Sequence, residues 1–245
     1  MMLTGSQRRR YARHVVLPEI GEEGQRKLLA SKVLVVGAGA LGSPAALYLA
    51  AAGVGTIGIM DGDRVDLSNL QRQILHTTHS VGSLKTESAQ ERIGAIDPDI
   101  HVEPYPFRLT EGNAPGILPR YDFVIDATDS FGTKFMLART CHMTGKGCSH
   151  AGIRNFHGQA MTVMPGKSAC YRCVFHEEGI EDSPVPEGPF GALPGVIGSI
   201  QALEALKHLL GIGSLLTDTI LTFDALTASF RRVTVRRAPD CPVCS

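Results

Sequence analysis

Two pairs of cysteines, Cys170-Tyr-Arg-Cys173 and Cys241-Pro-Val-Cys244, share the spacing CxxC. Two residues between thiolates let one tight turn present both sulfurs to a single ion, and two such turns build a tetrahedral S4 site, for which Zn2+ is the default. The pairs lie 67 residues apart, so the ion would clip distant segments together, with no open coordination position for catalysis. A redox CxxC and two disulfides are the alternatives. Duplication of the motif speaks against the first, and six cysteines in a chain of 245 residues are too sparse for a disulfide scaffold. Cys141 and Cys148 lack a partner pattern and read as core residues.

A second constellation could hold phosphate. Gly37-Ala-Gly39-Ala-Leu-Gly42 follows an apolar run and opens a small-residue segment. Gly37 would permit a tight turn, Gly39 a close approach of phosphate to backbone, and Gly42 close helix packing. The following helix N-terminus favours an anion. Asp61 comes 24 residues after Gly37, where an acid can accept hydrogen bonds from ribose hydroxyls. To this point a nicotinamide cofactor and ATP fit equally. Arg72 and Lys85 lie just beyond the strand end carrying Asp61. The two phosphates of a nicotinamide cofactor are already served by the glycine loop, so further fixed cations point to a triphosphate. Asp126 and Asp129 stand at another strand end, where a carboxylate could hold Mg2+ beside phosphates. Taken singly, Asp126 could instead cap the helix that follows, and Arg72 reads equally as a surface residue.

The elements that must position these residues are legible in the hydrophobic pattern. Short helices occupy 6–30. Lys32–Val36 (KVLVV) is a buried strand, followed by the glycine loop, a helix to about Ala52 and a second strand, Thr56–Met60. An amphipathic helix spans Gly82–Ile96, stopped by Asp97-Pro98. Strands follow at Ile100–Phe107, Tyr121–Asp126, Lys146–Ala151 and Gln159–Met164, then a helix over Ala192–Leu210 capped by Gly211, and a hairpin over Asp218–Arg237. The expected fold is α/β, a Rossmann-like, mostly parallel sheet with flanking helices and a mixed far edge. Residues 176–191 hold five acids, no Lys or Arg, three Pro and three Gly, and read as a loop.

Composition sets the outer bounds. Hydrophobic residues make up 43% and charged residues 20%, which excludes a disordered chain. Lys plus Arg equals Asp plus Glu at 24 each, which argues against a dedicated nucleic-acid binder. The Arg-rich N-terminus has no apolar core and is no secretory signal. The charge-free stretch Ala38–Met60 contains five glycines, too interrupted for a membrane span. No membrane association is expected, and the cytoplasm is the expected location.

Arg10-Tyr-Ala-Arg13-His14, GAGALG at 37–42, Asp61 with SNLQRQ at 68–73, GSLK ending at Lys85, ATD at 127–129, GVIGSIQALEALK at 195–207 and the double CxxC occur in this order. Together they resemble the ThiF/MoeB/HesA family, bacterial relatives of ubiquitin-activating enzymes, from about residue 6 to 245. The resemblance implies a single adenylation domain over 1–245, with N-terminal helices at 1–30, a nucleotide-binding half at 31–150 and a carrier-binding half with zinc at 151–245. It implies ATP-dependent adenylation of the C-terminal glycine of a ubiquitin-like sulfur carrier protein, in thiamin-thiazole or molybdopterin synthesis. Asp61 would bind the ribose, and Asn69, Arg72 and Lys85 the phosphates, with Gln73 nearby. Asp129 would hold Mg2+. Arg13 would reach the γ-phosphate of a neighbouring subunit, making a homodimer. Three departures stand out. Ser130 and Lys134 occupy positions where many relatives carry Asn and Arg; Lys keeps the charge but loses the bidentate fork. The 176–191 segment lacks the cysteine several relatives use for thioester or sulfur-transfer chemistry. The chain stops after the last CxxC with no rhodanese-type domain, so sulfur would come from a separate donor protein. The alternatives are a family member adenylating another carboxylate, such as a modified tRNA nucleoside or a peptide, an NAD(P)-binding oxidoreductase, and a non-catalytic module that holds a ubiquitin-like partner.

Overall fold

Lys32–Val36 forms β1, and its last four residues are buried. That is the expected state of a β-branched run covered on both faces of a parallel sheet. In the computed structural model, which describes residues 2–176 and 188–245, β1 is an interior strand of one eight-stranded sheet. The others are β2 (Thr56–Met60), β3 (His101–Tyr105), β4 (Phe123–Asp126), β5 (Gly147–Arg154), β6 (His157–Val163), β7 (Thr219–Asp224) and β8 (Ser229–Thr234). The helices are α1 (Gly5–Arg10), α2 (Ala12–Val15), α3 (Gly21–Ala30), α4 (Gly42–Ala52), α5 (Lys85–Ile96), α6 (Ala114–Ile117), α7 (Phe131–Thr144), α8 (Tyr171–Val174) and α9 (Leu193–Leu210). The loop expected at 176–191 falls mainly on 177–187, outside the described residues.

The sheet order is β3-β2-β1-β4-β5-β6-β7-β8. Strands β3 to β5 pair in parallel, and β6, β7 and β8 add on antiparallel, giving the mixed far edge. Chain order reverses direction between β1 and β4, which creates a crevice beyond their carboxyl ends, the usual ligand position in open α/β sheets. The Gly37 loop leaves β1 at that point, and the Ala127–Asp129 segment leaves β4 there.

Gly37 sits in the left-handed region at φ 99°. A Cβ at Gly42 would lie 1.8 Å from the Gly37 carbonyl oxygen, so the loop closes back on the first turn of α4 and only hydrogen fits between them. Gly42→Ala is therefore expected to cost about 1–3 kcal/mol, read as a lowered Tm. α9 packs on α4, and its Gln201 Nε2 donates to the carbonyls of Asp126 (2.8 Å) and Ser149 (2.9 Å), tying the end of β4 to the first half of β5.

α5 begins at Lys85 rather than Gly82. Residues before it are used elsewhere: Ser83 accepts from Val65 N, and Leu84 bridges Arg64. α7 had no assigned bounds in the sequence pattern. It buries Lys134, Phe135, Met136, Leu137, Ala138, Thr140 and Cys141, too much of its circumference to leave one apolar stripe.

Candidate active site

A cavity of about 1450 Å³ opens at the crevice between β1 and β4. Gly37, Gly39, Asp61, Arg72, Gln73, Lys85 and Asp129 all line it, so residues spread over 93 positions converge. Asp61, at the end of β2, accepts from Ala38 N (2.9 Å) and from Asp63 N (2.8 Å). Lys85, the first residue of α5, is 6% exposed and sits 3.6 Å from Asp61 Oδ2 and 3.1 Å from Asp63 Oδ2. Asp63 also receives Arg108 (3.2 Å). Partial burial works against its charge, but Lys85 and Arg108 outweigh that and hold its carboxyl below the usual range. Arg72 Nη1 donates to the Ser68 carbonyl (3.1 Å). Asp129 is exposed on the cavity wall.

The residues fit an anionic nucleotide. A Cβ at Gly39 would meet nothing nearer than Gln73 Nε2 at 3.7 Å, so the protein leaves the space in front of this backbone clear. Gln73 Oε1 is buried with no hydrogen-bond partner among the described residues, an orphan acceptor suited to a ligand donor. Asp129, an exposed carboxylate beside this space, is of the donor type Mg2+ takes.

Three expected residues stand outside this lining: Gly42, buried where the loop closes on α4, Arg13 and Asn69. Arg13 is exposed on α2 and outside the lining. Asn69 ends the turn Leu67–Asn69, where its Oδ1 accepts from Asp66 N at 3.4 Å.

The structure corrects the reading of Asp126, and Lys134, which lines the cavity, is directed onto that carboxylate. Asp126 is fully buried and unavailable to a metal at the crevice. It accepts from Lys134 Nζ (3.2 Å), His150 Nδ1 (2.8 Å) and Thr128 Oγ1 (2.6 Å). It does not cap α7 either; Ser130 does, accepting from Thr133 N at 3.4 Å. Burial opposes the Asp126 charge, but Lys134 and His150 overcome it and hold the carboxyl far below its usual range. Lys134 therefore points its ammonium inward, donating also to the Ala151 carbonyl at 2.6 Å. Burial likewise opposes a charge on His150, yet the Cys148 sulfur and the Asp126 carboxylate outweigh it and raise the ring above its ordinary value. Burial keeps the Cys148 thiol well above its own range and neutral at pH 7, so Asp126 supplies the full negative charge.

Sequence reasoning missed Asp63, Arg108 and His150. Asp63 lies in the Asp61-Gly-Asp63 run, a signal that a second carboxylate stands within reach of a cation at Lys85. Arg108 and His150 become part of the site only through the ordering of the sheet.

The four CxxC sulfurs meet. Cys170 lies 3.5 Å from Cys241 and 3.7 Å from Cys173, and Cys173 lies 3.3 Å from Cys244. All four sulfurs are within 4.8 Å of one another. A tetrahedron of sulfurs about 2.3 Å from zinc has edges of about 3.8 Å, and a disulfide would need about 2.05 Å, so the set fits a metal and no disulfide is formed. Ala238 N donates to Cys173 Sγ at 3.4 Å, a second support for a thiolate. The cluster packs with Phe135, Met161, Val163 and Tyr171, and three of its four cysteines are buried. Purified protein is expected to carry about one zinc per chain by elemental analysis, and Cys241→Ser to lose it with a lowered Tm. Metal-free protein that melts normally would refute the assignment.

Among the described residues, no helix is long and apolar enough to cross a membrane. The model of the ThiF family matches residues 11–243. The chain is 47% identical over 243 residues to the sulfur carrier protein adenylyltransferase of Thermus thermophilus, covering 96% of this chain and 90% of that protein. It is 44% identical over 248 residues to the SAMP-activating enzyme E1 of Haloferax volcanii, covering 100% and 91%. The solved structure of Escherichia coli MccB with ATP superposes at a TM-score of 0.86 with 23% identity, over 96% of this chain and 74% of that one, which shows a shared fold.

Proposed function

The chain belongs to the ThiF family, and from that premise we propose that it is an ATP-dependent adenylyltransferase acting on the C-terminal glycine of a ubiquitin-like sulfur carrier. The observation that carries this reading is the convergence of the glycine loop, Asp61, Arg72, Lys85 and Asp129 on one cavity. A dinucleotide redox enzyme would use the loop and Asp61, but has no need of the two cations and the exposed carboxylate together.

In the proposed reaction a carboxylate oxygen of the carrier attacks the α-phosphorus of ATP. The bond from that phosphorus to the bridging oxygen breaks, pyrophosphate leaves with the electron pair, and an acyl-adenylate forms. A carboxylate is a weak nucleophile and both reactants are anionic, so positioning and charge neutralisation are the main tasks. The amides at the start of α4 would cradle phosphate, and Asp61 would accept from the ribose. Lys85 and Arg72 would neutralise the phosphates. Lys85 is parked on Asp61 and Asp63 (3.6 and 3.1 Å), a cation held in place beforehand and needing little reorganisation. Asp129 would hold Mg2+, which when bound supplies further neutralisation of phosphate charge.

A second copy of the chain would complete the site with Arg13. In support, Arg13 is exposed beside the exposed apolar residues Val16 and Leu17. Residues 1–245 would then act as one adenylation unit, 31–150 binding nucleotide after the helices of 1–30, and 151–245 carrying the zinc clip and receiving the carrier. A reading of this kind locates the enzyme in the cytoplasm.

ATP–pyrophosphate exchange tests the function. Exchange is expected with a carrier ending in a free Gly-Gly carboxylate and is expected to vanish when that carboxylate is amidated. Equal exchange with both carriers, or none with any of a panel of Gly-Gly-ended carriers, would overturn the reading.

A further inference from the structure

Three backbone polar groups of the phosphate-facing loop, Gly37 N, Ala38 N and Ala38 O, are held by partners elsewhere in the protein. Gly37 N donates to the Met60 carbonyl at 2.8 Å. Ala38 N donates to Asp61 Oδ2 at 2.9 Å. The Ala38 carbonyl lies 2.8 Å from His76 Nε2. Gly39 O then accepts from Ser43 Oγ and Ser43 N. His76 has no place in the motifs that announce a nucleotide site, and among the partners of which that is true it is the titratable one. It is 6% exposed and does not line the cavity. Its other ring nitrogen lies 2.9 Å from Ser88 Oγ on α5.

The protonation state follows from the partners. Burial, helped by the Lys85 ammonium, holds His76 below its ordinary pKa against the Ala38 carbonyl and the Asp61 carboxylate, so the ring is neutral at pH 7. A carbonyl can only accept, so the single ring proton must sit on Nε2; Nδ1 then accepts from the Ser88 hydroxyl.

A trans peptide is planar, with its C=O and N–H pointing in opposite directions. Fixing the Ala38 carbonyl on His76 therefore fixes the Gly39 N–H on the opposite side, and Gly39 borders the cavity. Glycine tolerates many backbone conformations, so without that anchor this peptide plane is free to turn and present an oxygen where the site needs a donor.

We propose that His76 is a positioning residue for the nucleotide, a neutral imidazole locked by Ser88 that sets the direction of the Gly39 amide by holding the Ala38 carbonyl. The proposal rests on the adenylation reading above, because it assigns the amide a phosphate to face.

A matched pair of variants separates this role from core filling. The terminal amide of His76→Gln reaches where Nε2 stands and can still donate to Ala38. That of His76→Asn reaches only where Nδ1 stands and leaves the carbonyl unpaired. Asn is smaller than Gln by one methylene, so affinity rather than stability is the readout that separates the roles. Calorimetric titration with ATP and Mg2+, without carrier, is expected to show His76→Gln within about threefold of wild type and His76→Asn weaker by about tenfold or more, with the Tm of His76→Asn the lower of the two by a few degrees because its Ala38 carbonyl is left unpaired. Nitrogen-15 spectra of the wild-type ring are expected to show the Nε2-protonated neutral form at pH 7. Ser88→Ala, which keeps the imidazole and frees it to exchange tautomers, is expected to weaken ATP severalfold and serves if the asparagine variant does not fold. Equal affinities for the Gln and Asn variants, an Nδ1-protonated or charged ring, or an unaltered Ser88→Ala protein would each overturn the proposal while wild-type ATP binding stands. A wild-type chain that binds no ATP would overturn the adenylation reading first and the positioning role with it.

Discussion

Asp129→Ala is expected to lower ATP–pyrophosphate exchange by about a thousandfold, the scale on which loss of one preorganised charge-stabilising group is felt, while leaving the Tm and the zinc content where they were. The contrast with Asp126, three residues earlier, is what makes the result informative. Asp126 is buried and spent on Lys134, His150 and Thr128. Asp129 is exposed on the wall of the cavity, where a substitution typically changes stability by less than about 0.5 kcal/mol. A loss of exchange with an unchanged melting curve therefore assigns Asp129 to the reaction rather than to the fold. Near-normal exchange would sink the magnesium assignment.

Lys134→Met is expected to have the opposite signature, with stability falling by about 3 kcal/mol, the lower end of the cost of breaking a buried ion pair, because His150 still faces the carboxylate. For a chain of this size that corresponds to a drop in Tm of about 10 °C. Methionine keeps most of the side-chain stem, so the loss reports charge rather than packing. The pH dependence has a definite sign. Asp126 is held far below its usual range in the folded protein, so its contribution is present above an unfolded value of about 4 and is lost as pH falls below it. Part of that contribution comes from Lys134, so the melting curves of wild type and variant should converge as pH drops below about 4. A variant that melts within about 2 °C of wild type at pH 7 would show that the pair contributes little.

The parts of the fold that were legible beforehand share a physical signature. β1 and β2 have the bounds expected because each is a run of mostly apolar, β-branched residues closed off by glycine or a charged turn. α9 was legible for the same kind of reason, ending at Leu210 with Gly211 in the left-handed cap conformation. α7 had no readable face because it is covered on most sides. The glycine loop, Asp61, Arg72, Lys85 and the cysteine tetrad could be picked out because their spacing already encodes a chemistry. The orientation of Lys134 could not. Lys134 stands in the cavity lining, yet its ammonium is turned onto Asp126 and the Ala151 carbonyl, since a carboxylate on a fully buried strand end needs a counter-charge. His76 was hidden for a related reason. Its partners, Ala38 and Ser88, lie 38 residues before it and 12 after it, and only the folded sheet brings the three together.

The cysteine clip also has a history during synthesis. Cys170 and Cys241 are 71 positions apart, and a ribosome adding about 5–20 residues per second makes the second pair roughly 4–14 s after the first. For that interval Cys170 and Cys173 are a dithiol with half a coordination shell, at the spacing that oxidants and thiol-exchange partners also favour. The rate of translation thus sets how long the half-built site stands open to the wrong chemistry, and slow codons between the two pairs would lengthen the exposure without changing a single residue of the finished enzyme.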